Sequence, residues 1–346
     1  MFIEKRPVGA DHPPYVIAEI SANHNGEIQN AIKLIKIAKE SGASAVKLQT
    51  YTPETITLDC ATDDFRIQEG LWKGQTLYDL YQSAHMPWEW QTELFSYARS
   101  IGITIFSSAF DPTSVDFLES LKCPAYKIAS FEAIDLPLIQ YAASTGKPLI
   151  ISTGLANKDE IAEAIETAYT AGCKELAILH CVSGYPANPS DCNLRTIQDM
   201  RQSFDVQVGL SDHTINNNAA IAAVSLGATI IEKHITLDRT GGGPDDSFSL
   251  EPKDLSSLCA GLYEVWTALG TTNYSIKQSE KENLKFRRSL YFVKDLKKGQ
   301  IIDSNCVRSI RPGYGLAPKN LKKILGKKVT VDVFRGTPCA WELIND

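Results

Sequence analysis

Paired cysteine motifs are missing from this sequence, although it contains eight cysteines among its 346 residues. No CxxC spacing occurs, so a structural zinc site is not expected. The N-terminal segment also lacks the long apolar core of a signal peptide, because Glu4, Lys5 and Arg6 interrupt it early. We therefore expect reduced thiols and a cytoplasmic protein.

The sequence also has no excess of positive charge. The chain has 35 Lys and Arg against 41 Asp and Glu, which gives a formal net charge of −6. This balance provides no electrostatic support for nucleic acid or an anionic membrane surface as the main partner. Charged residues interrupt every apolar run within about ten residues, which is too short for a membrane-spanning helix. An anionic substrate would therefore need a local cluster of cations.

Eight β-rich segments alternate with helical patterns along most of the chain. The strands are predicted at 15–21, 44–50, 103–109, 125–130, 147–153, 175–181, 206–212 and 228–234. Helices are predicted at 28–42, 87–102, 158–172 and 216–227, with shorter ones at 135–146 and 193–204. The alternation favours an α/β fold, a (β/α)₈ TIM barrel. An open doubly wound sheet is the alternative, but no dinucleotide-binding glycine motif follows the first strand.

Two further segments depart from this alternation. Residues 52–86 form a long insertion after the second strand, with Trp72 and Tyr78 in it, and loops of this length usually act as lids or substrate walls. The composition becomes polar and basic after residue 270. We predict a catalytic domain at 1–270, a linker at 271–285 and a small, mostly β domain at 286–346.

Polar residues follow the predicted strands at their C-terminal ends, where TIM barrels place their active sites. Lys47 and Lys127 lie on different strands, and hydroxyls on further strands could bind the same ligand. Those hydroxyls belong to Ser108, Ser130, Ser152 and Ser211. Cations and hydroxyls together suit a substrate that carries phosphate and carboxylate groups. The alternative is that each lysine pairs with a neighbouring glutamate and has only a structural role.

The stretch "ATIIEKHITLD" ends a buried strand in three polar residues, the last of which is His234. His213 lies near the tip of the preceding strand, so the two imidazoles could share Mn²⁺, Fe²⁺, Co²⁺ or Zn²⁺. A general base or a hydrogen-bond donor is the alternative reading of each histidine. Glu19, Glu132 and Asp245 could contact sugar hydroxyls or transfer protons, or they could pair with the lysines.

Several motifs together resemble the sialic acid synthase family, whose members condense phosphoenolpyruvate with an amino sugar. They include "IAEISANHNG", "YKIASFE", "GLSDHT", "EKHITLD" and "FSLEP", in the family's order. The tail "FRRSLYFVKDLKKGQII…RPGYGL" resembles the family's C-terminal domain, which is related in fold to type III antifreeze protein. Within the family, segments such as "LYDLYQSAHMPWEW" are most similar to the pseudaminic acid synthases.

The resemblance implies a role for each candidate residue. Lys47, Lys127 and the four serines would hold phosphoenolpyruvate, and Glu19 would lie near the enolpyruvate. His213 and His234 would bind a divalent cation, Mn²⁺, Mg²⁺ or Co²⁺. Contacts to the sugar would come from Gln49, Glu132, Tyr185, Asp245 and Arg311. We favour Asp245 over Asp246 by its distance from His234.

The resemblance also implies a homodimer, because Arg311 of one subunit would reach the active site of the other. Three alternatives remain at the sequence level. The protein could be another nonulosonate synthase, such as an N-acetylneuraminate or legionaminic acid synthase. It could be an aldolase that forms a Schiff base through Lys47 or Lys127, which requires a lysine kept away from anions. It could also be a binding protein that uses the antifreeze-like domain.

Overall fold

The chain forms two compact units, Met1–Gly270 and a second unit that begins at Thr271, in a computed structural model that describes residues 1–345. The first unit is built around a closed barrel of eight parallel strands. In chain order they are β1 Tyr15–Glu19, β2 Ala45–Thr50, β3 Thr104–Ala109, β4 Tyr126–Ile128, β5 Leu149–Ser152, β6 Leu176–Cys181, β7 Gln207–Ser211 and β8 Ile230–His234. Each strand pairs with the next, and β8 closes the barrel against β1. The predicted TIM barrel is confirmed.

A helix follows each strand. These helices are α1 Ile28–Glu40, α2 Trp88–Ile101, α3 Pro112–Ser120, α4 Leu136–Ser144, α5 Lys158–Thr170, α6 Thr196–Ser203, α7 Asn218–Ser225 and α8 Pro252–Leu269. The sequence reading had not identified α3 and α8. Helix α3 begins with a clear local signal, because the Asp111 carboxylate accepts hydrogen bonds from the backbone N–H groups of Thr113 and Ser114. Both helices have a proline in their first turn.

The core lies inside the barrel and between the barrel and its helices. Helix α1 shows the pattern, since its buried residues Ala31, Leu34, Ile35 and Ala38 recur every three or four positions. The strands are buried on both faces, which explains their nearly continuous apolar sequence. Each fully buried leucine or isoleucine contributes about 1.5–3 kcal/mol. The apolar interior therefore stabilises the scaffold, and the polar strand ends are an exception to it.

The insertion at 52–86 contains short helical elements, which are Pro53–Ile56, a 3₁₀ turn at Asp63–Phe65, and Leu77–Ala84. A small hairpin of Phe2–Ile3 and Arg6–Pro7 precedes β1. No helix within residues 1–345 is both long and apolar enough to cross a membrane.

The second unit is small and contains two antiparallel pairs. Ser289–Phe292 pairs with Val307–Ile310, and Lys328–Val329 pairs with Ile344–Asn345. A separate core forms around them from residues that include Leu290, Phe292, Ile302, Ile324 and Val329. The stretch predicted as a linker contains most of a solvent-exposed 3₁₀ helix at Gln278–Phe286.

We expect Gly209→Ala to destabilise the barrel, because an added Cβ on β7 would lie 2.4 Å from the Ile230 carbonyl oxygen and 2.6 Å from a Leu179 methyl carbon. Overpacking of this kind costs about 1–3 kcal/mol. Gly261→Ala is the control, since its Cβ would meet only Ile221 at 3.7 Å and the position lies inside α8. Denaturant unfolding should show a lower free energy for Gly209→Ala alone, and equal values for both variants would contradict this packing argument.

Candidate active site

The strand register brings the polar strand ends together at one end of the barrel. Glu19 on β1 is aligned with Lys47 on β2 and with His234 on β8. On the next pair of strands, Ser108 is aligned with Lys127. These positions come from five strands, β1 to β4 and β8, and the closed barrel makes them neighbours. The carboxyl ends of the strands therefore carry a ring of polar side chains, as predicted.

Two lysines and two glutamates form a buried charged cluster in this ring. Lys47 Nζ lies 2.8 Å from Glu19 Oε2 and 3.4 Å from Glu232 Oε1, and Lys127 Nζ lies 2.8 Å from Glu232 Oε1. All four side chains are nearly inaccessible to solvent. Each lysine is thus paired with a glutamate. This pairing is the structural alternative that the sequence left open.

Glu232 was not among the predicted site residues, although the sequence contained a signal for it. It lies two positions before His234, so both side chains point to the same face of β8. It is the shared partner of both lysines, and the Ser211 hydroxyl donates to it at 3.4 Å. Its central position makes it part of the candidate site.

The two glutamates of the cluster differ in the pKa of their carboxyl groups. Burial disfavours the charged form of Glu232, but Lys127 and Lys47 outweigh it and lower the pKa of Glu232 to about 2. Burial raises the pKa of Glu19 to about 7, although Lys47 opposes the shift. Glu232 is therefore a fixed carboxylate, whereas Glu19 can exchange a proton near neutral pH.

The predicted hydroxyls lie around the cluster. The Lys47 ammonium donates to Ser108 Oγ at 3.0 Å, and Ser130 Oγ accepts a hydrogen bond from the Gly154 N–H at 3.1 Å. Ser152 Oγ is buried and has no hydrogen-bond partner among residues 1–345. A buried hydroxyl without a partner is costly, so this atom is available to a ligand.

His213 and His234 lie side by side, with ring centroids 5.3 Å apart. His213 Nδ1 is 2.9 Å from the Val182 carbonyl oxygen, so it carries the proton and Nε2 is free to bind a cation. Burial and the neighbouring His213 lower the pKa of His234 well below its ordinary value. The neutral imidazole that results is the form that binds metal ions.

The two histidines fit a divalent cation that takes further ligands from water or substrate. His234 Nδ1 is buried and has no hydrogen-bond partner in the described part of the chain. No group of three or more His, Cys, Asp or Glu residues with the geometry of a metal site occurs within residues 1–345. The protein would therefore supply two ligands, which leaves coordination positions for an incoming oxygen.

The predicted sugar contacts border the histidines. Gln49 Nε2 donates to Glu19 at 2.9 Å and to Ser21 Oγ at 3.0 Å, and Ser21 in turn donates to Asp245. Asp245 Oδ2 lies 3.7 Å from His234 Nδ1. Its neighbour Asp246 points elsewhere and contacts the glycine-rich loop at 241–243. The partners of Asp246 are Asn25, Thr236 and the Gly243 N–H.

Of the remaining predicted residues, Tyr185 and Glu132 lie in the barrel unit and Arg311 lies in the second unit. The Tyr185 ring lies 4.4 Å from the His213 ring. Burial raises the pKa of Glu132 to about 7, and its Oε2 has no hydrogen-bond partner among residues 1–345. Arg311 is an exposed residue of the second unit, so its role in the site remains a prediction. Sequence reasoning did not select Ser21, which links Gln49 to Asp245.

Comparison with known proteins places the chain in a family. The model of the NeuB family matches residues 34–274, and the model of the SAF domain matches residues 287–345. The chain is 42% identical to a pseudaminic acid synthase of Helicobacter pylori, over 94% of this chain and 96% of that protein. It is 35% identical to an N,N'-diacetyllegionaminic acid synthase of Legionella pneumophila, over 98% and 97% of the two chains.

A solved structure shares the whole architecture. It is the spore coat polysaccharide biosynthesis protein SpsE of Bacillus subtilis, with a TM-score of 0.69 and 31% identity over 100% of this chain and 99% of that one. The fold of the chain, over nearly its whole length, thus occurs in a related protein. The chain belongs to the NeuB family of nonulosonate synthases, which are enzymes of the transferase class, and it carries a SAF domain.

Proposed function

We propose that the protein is a pseudaminic acid synthase. It condenses phosphoenolpyruvate with 2,4-diacetamido-2,4,6-trideoxy-L-altrose and water, and it releases pseudaminic acid and phosphate. The observation that supports this product over others is the identity of 42% to the Helicobacter pylori pseudaminic acid synthase, against 35% to the Legionella pneumophila legionaminic acid synthase. The coarser activity, nonulosonate synthesis, follows from the family itself.

Phosphoenolpyruvate binding is assigned to the buried cluster. The ammonium groups of Lys47 and Lys127 would attract its carboxylate and phosphate groups, and the hydroxyls of Ser108, Ser130, Ser152 and Ser211 would donate to the same oxygens. Two glutamates already balance the two lysines. Protonation of Glu19, whose pKa is about 7, would leave the cluster with a net positive charge that favours an anionic substrate.

The reaction joins C3 of the enolpyruvate to C1 of the open-chain sugar. Attack on the aldehyde forms the new C–C bond and places positive charge at C2, water adds at C2, and phosphate leaves with cleavage of the C–O bond. When bound, the divalent cation held by His213 and His234 would polarise the aldehyde as a Lewis acid. Glu232, a fixed carboxylate, would stabilise positive charge near the enolpyruvate. Glu19 would accept the proton that water loses on adding at C2 and would pass it to the former aldehyde oxygen.

The sugar would lie between the histidines and the insertion. The Trp72 indole donates to the Pro244 carbonyl oxygen at 3.2 Å, and its ring centroid lies 5.7 Å from that of Tyr185. An apolar wall of this kind suits a 6-deoxy sugar with two acetamido groups, because such a sugar presents more methyl surface than N-acetylmannosamine. Gln49, Glu132 and Asp245 would bind its hydroxyl and amide groups.

The dimer and Arg311 belong to the same proposal. A homodimer in which the second unit of one subunit approaches the barrel of the other would bring Arg311 to the sugar. Its support is the resemblance of "RPGYGL" to the family's C-terminal domain and the SAF match at 287–345. A mutual arrangement of this type would make both sites of the dimer dependent on both chains.

The Schiff-base aldolase fits the cluster less well. Burial, together with Lys47, lowers the pKa of Lys127, which favours a nucleophilic amine. Yet the same ammonium donates to both oxygens of Glu232, at 2.8 and 2.9 Å, and an ion pair with that geometry favours the charged form. We therefore assign Lys127 to anion binding.

A substrate panel tests the proposed product. The full-length protein, incubated with phosphoenolpyruvate and Mn²⁺, should release phosphate with the diacetamido trideoxy altrose and far more slowly with N-acetylmannosamine or the diacetamido precursor of legionaminic acid. EDTA should abolish release, and added Mn²⁺ should restore it. Preference for either other sugar would reject the product assignment and leave the family activity intact. Release that is indifferent to EDTA would contradict the metal site.

Substitution of one buried lysine tests the phosphoenolpyruvate site. Lys127→Met should lower kcat/KM for phosphoenolpyruvate by about 100-fold or more, because it removes a fixed cation from a desolvated site. Lys147→Met is the control, since Lys147 precedes β5, at the opposite end of that strand from the site, and pairs with the partly exposed Glu119. Steady-state phosphate release measures kcat/KM, and thermal unfolding shows whether each variant is folded. A folded Lys127→Met variant with unchanged kcat/KM would remove Lys127 from the site.

A further inference from the structure

One buried ammonium group holds the loop that carries His213. This loop follows β7, and Lys233 of β8 contacts it at three points. Lys233 Nζ donates to Asp212 Oδ2 at 2.9 Å, to the Asn216 carbonyl oxygen at 3.0 Å and to the Thr214 carbonyl oxygen. An ammonium group has three N–H donors, so all three are used. We call this set of contacts the Lys233 clamp.

The position of Lys233 follows from the alternation of β8. Glu232 and His234 point into the candidate site, so the residue between them must point to the other face of the strand. There it meets the end of β7, because the Asp212 N–H donates to the Glu232 carbonyl oxygen at 2.9 Å and extends the strand pairing. Lys233 is therefore next to the His213 loop without touching the space for substrate.

The clamp fixes the backbone on both sides of His213. Asp212, before it, is paired with Lys233, and its other carboxylate oxygen accepts the Thr214 N–H at 2.9 Å. Thr214, after it, is bound through both its N–H and its carbonyl oxygen. His213 has anchors of its own, since its Nδ1 contacts the Val182 carbonyl oxygen and its carbonyl oxygen accepts the Ala187 N–H at 3.0 Å. The Lys233 clamp adds contacts to the residues on both sides of it.

A role in stability alone does not explain why this ion pair is buried. Lys233 and Asp212 are almost completely buried, with 1% and 2% of their side-chain surfaces exposed. Desolvation makes such pairs expensive, and apolar residues of similar size often stabilise a core equally well. What apolar residues could not provide is the set of directional hydrogen bonds to a loop. The clamp therefore contributes geometry rather than net stability.

We propose that Lys233 is a positioning residue of the metal site. It ties the His213 loop to the strand that carries His234, and it thereby sets the separation of the two imidazoles, whose ring centroids lie 5.3 Å apart. The inference rests on the proposed binding of a divalent cation by these two histidines. It assigns a function to the middle residue of the Glu-Lys-His sequence, which makes no contact with the charged cluster.

The test uses a double variant, Lys233→Met with Asp212→Asn. Loss of Lys233 alone would leave Asp212 buried and unpaired, and that variant could fail to fold. The double variant removes both charges and keeps an oxygen at residue 212 for the Thr214 N–H. The matched control is Lys158→Met with Asp199→Asn, an ion pair of 3.0 Å between exposed side chains on α5 and α6.

Two measurements on the full-length protein follow. Calorimetric titration with Mn²⁺ should give a dissociation constant about 10–100-fold higher for the double variant than for the unsubstituted protein, the usual effect of losing a group that orients a metal ligand. Hydrogen exchange without metal should be faster in the peptide that covers 212–217. The control variant should match the unsubstituted protein in both measurements, and the double variant should keep nearly the same unfolding temperature.

The outcomes separate the inference from the proposed function. If the folded double variant binds Mn²⁺ as tightly as the unsubstituted protein, or if exchange at 212–217 is unchanged, Lys233 has no positioning role. If the unsubstituted protein itself does not bind Mn²⁺, the metal site fails and the positioning role fails with it. In that last case, faster exchange in the double variant would show that the clamp stabilises the loop but has no part in metal binding.

Discussion

The charge balance between two lysines and two glutamates is the constraint on which the candidate site depends. Lys47, Lys127, Glu19 and Glu232 are buried at the mouth of the barrel. An isolated charge at such a position would be far too costly to bury. Because Glu232 is shared by both lysines, the cluster is a connected network rather than two separate pairs. A substrate anion must therefore enter a site whose charges already have partners.

This network gives the site chemical asymmetry. One carboxyl group, Glu232, lies against two ammonium groups and is held as an anion, while Glu19 is almost fully desolvated and has a pKa near neutrality. On the other side, the imidazole of His234 is neutral, the form that cation binding needs, and the His213 ring lies next to it. In the proposed reaction, the anionic enol and the electrophilic aldehyde would thus occupy separate, adjacent places. Condensation requires that arrangement.

Relatedness and site chemistry answer different parts of the functional question. The NeuB and SAF matches establish the kind of enzyme, and the buried cluster explains how such an enzyme could hold an anionic enol. In the proposed function, the choice among nonulosonate sugars would depend on the less polar surroundings, which include Trp72 of the insertion and Tyr185. Those residues come from long connections, where related proteins differ most.

Much of the architecture could be predicted from the sequence. Eight apolar segments with polar C-terminal ends favoured a closed barrel over an open sheet, and the ends of these segments indicated Lys47, Lys127, His213 and His234 as candidate residues. Helices α3 and α8 were missed, although Pro112 and Pro252 mark their starts. Tertiary structure alone decided the charge pairing, because the sequence cannot show that Glu232 on β8 lies between lysines of β2 and β4. It also decided the role of Lys233, since only the packing of β8 beside β7 places its ammonium group against the His213 loop.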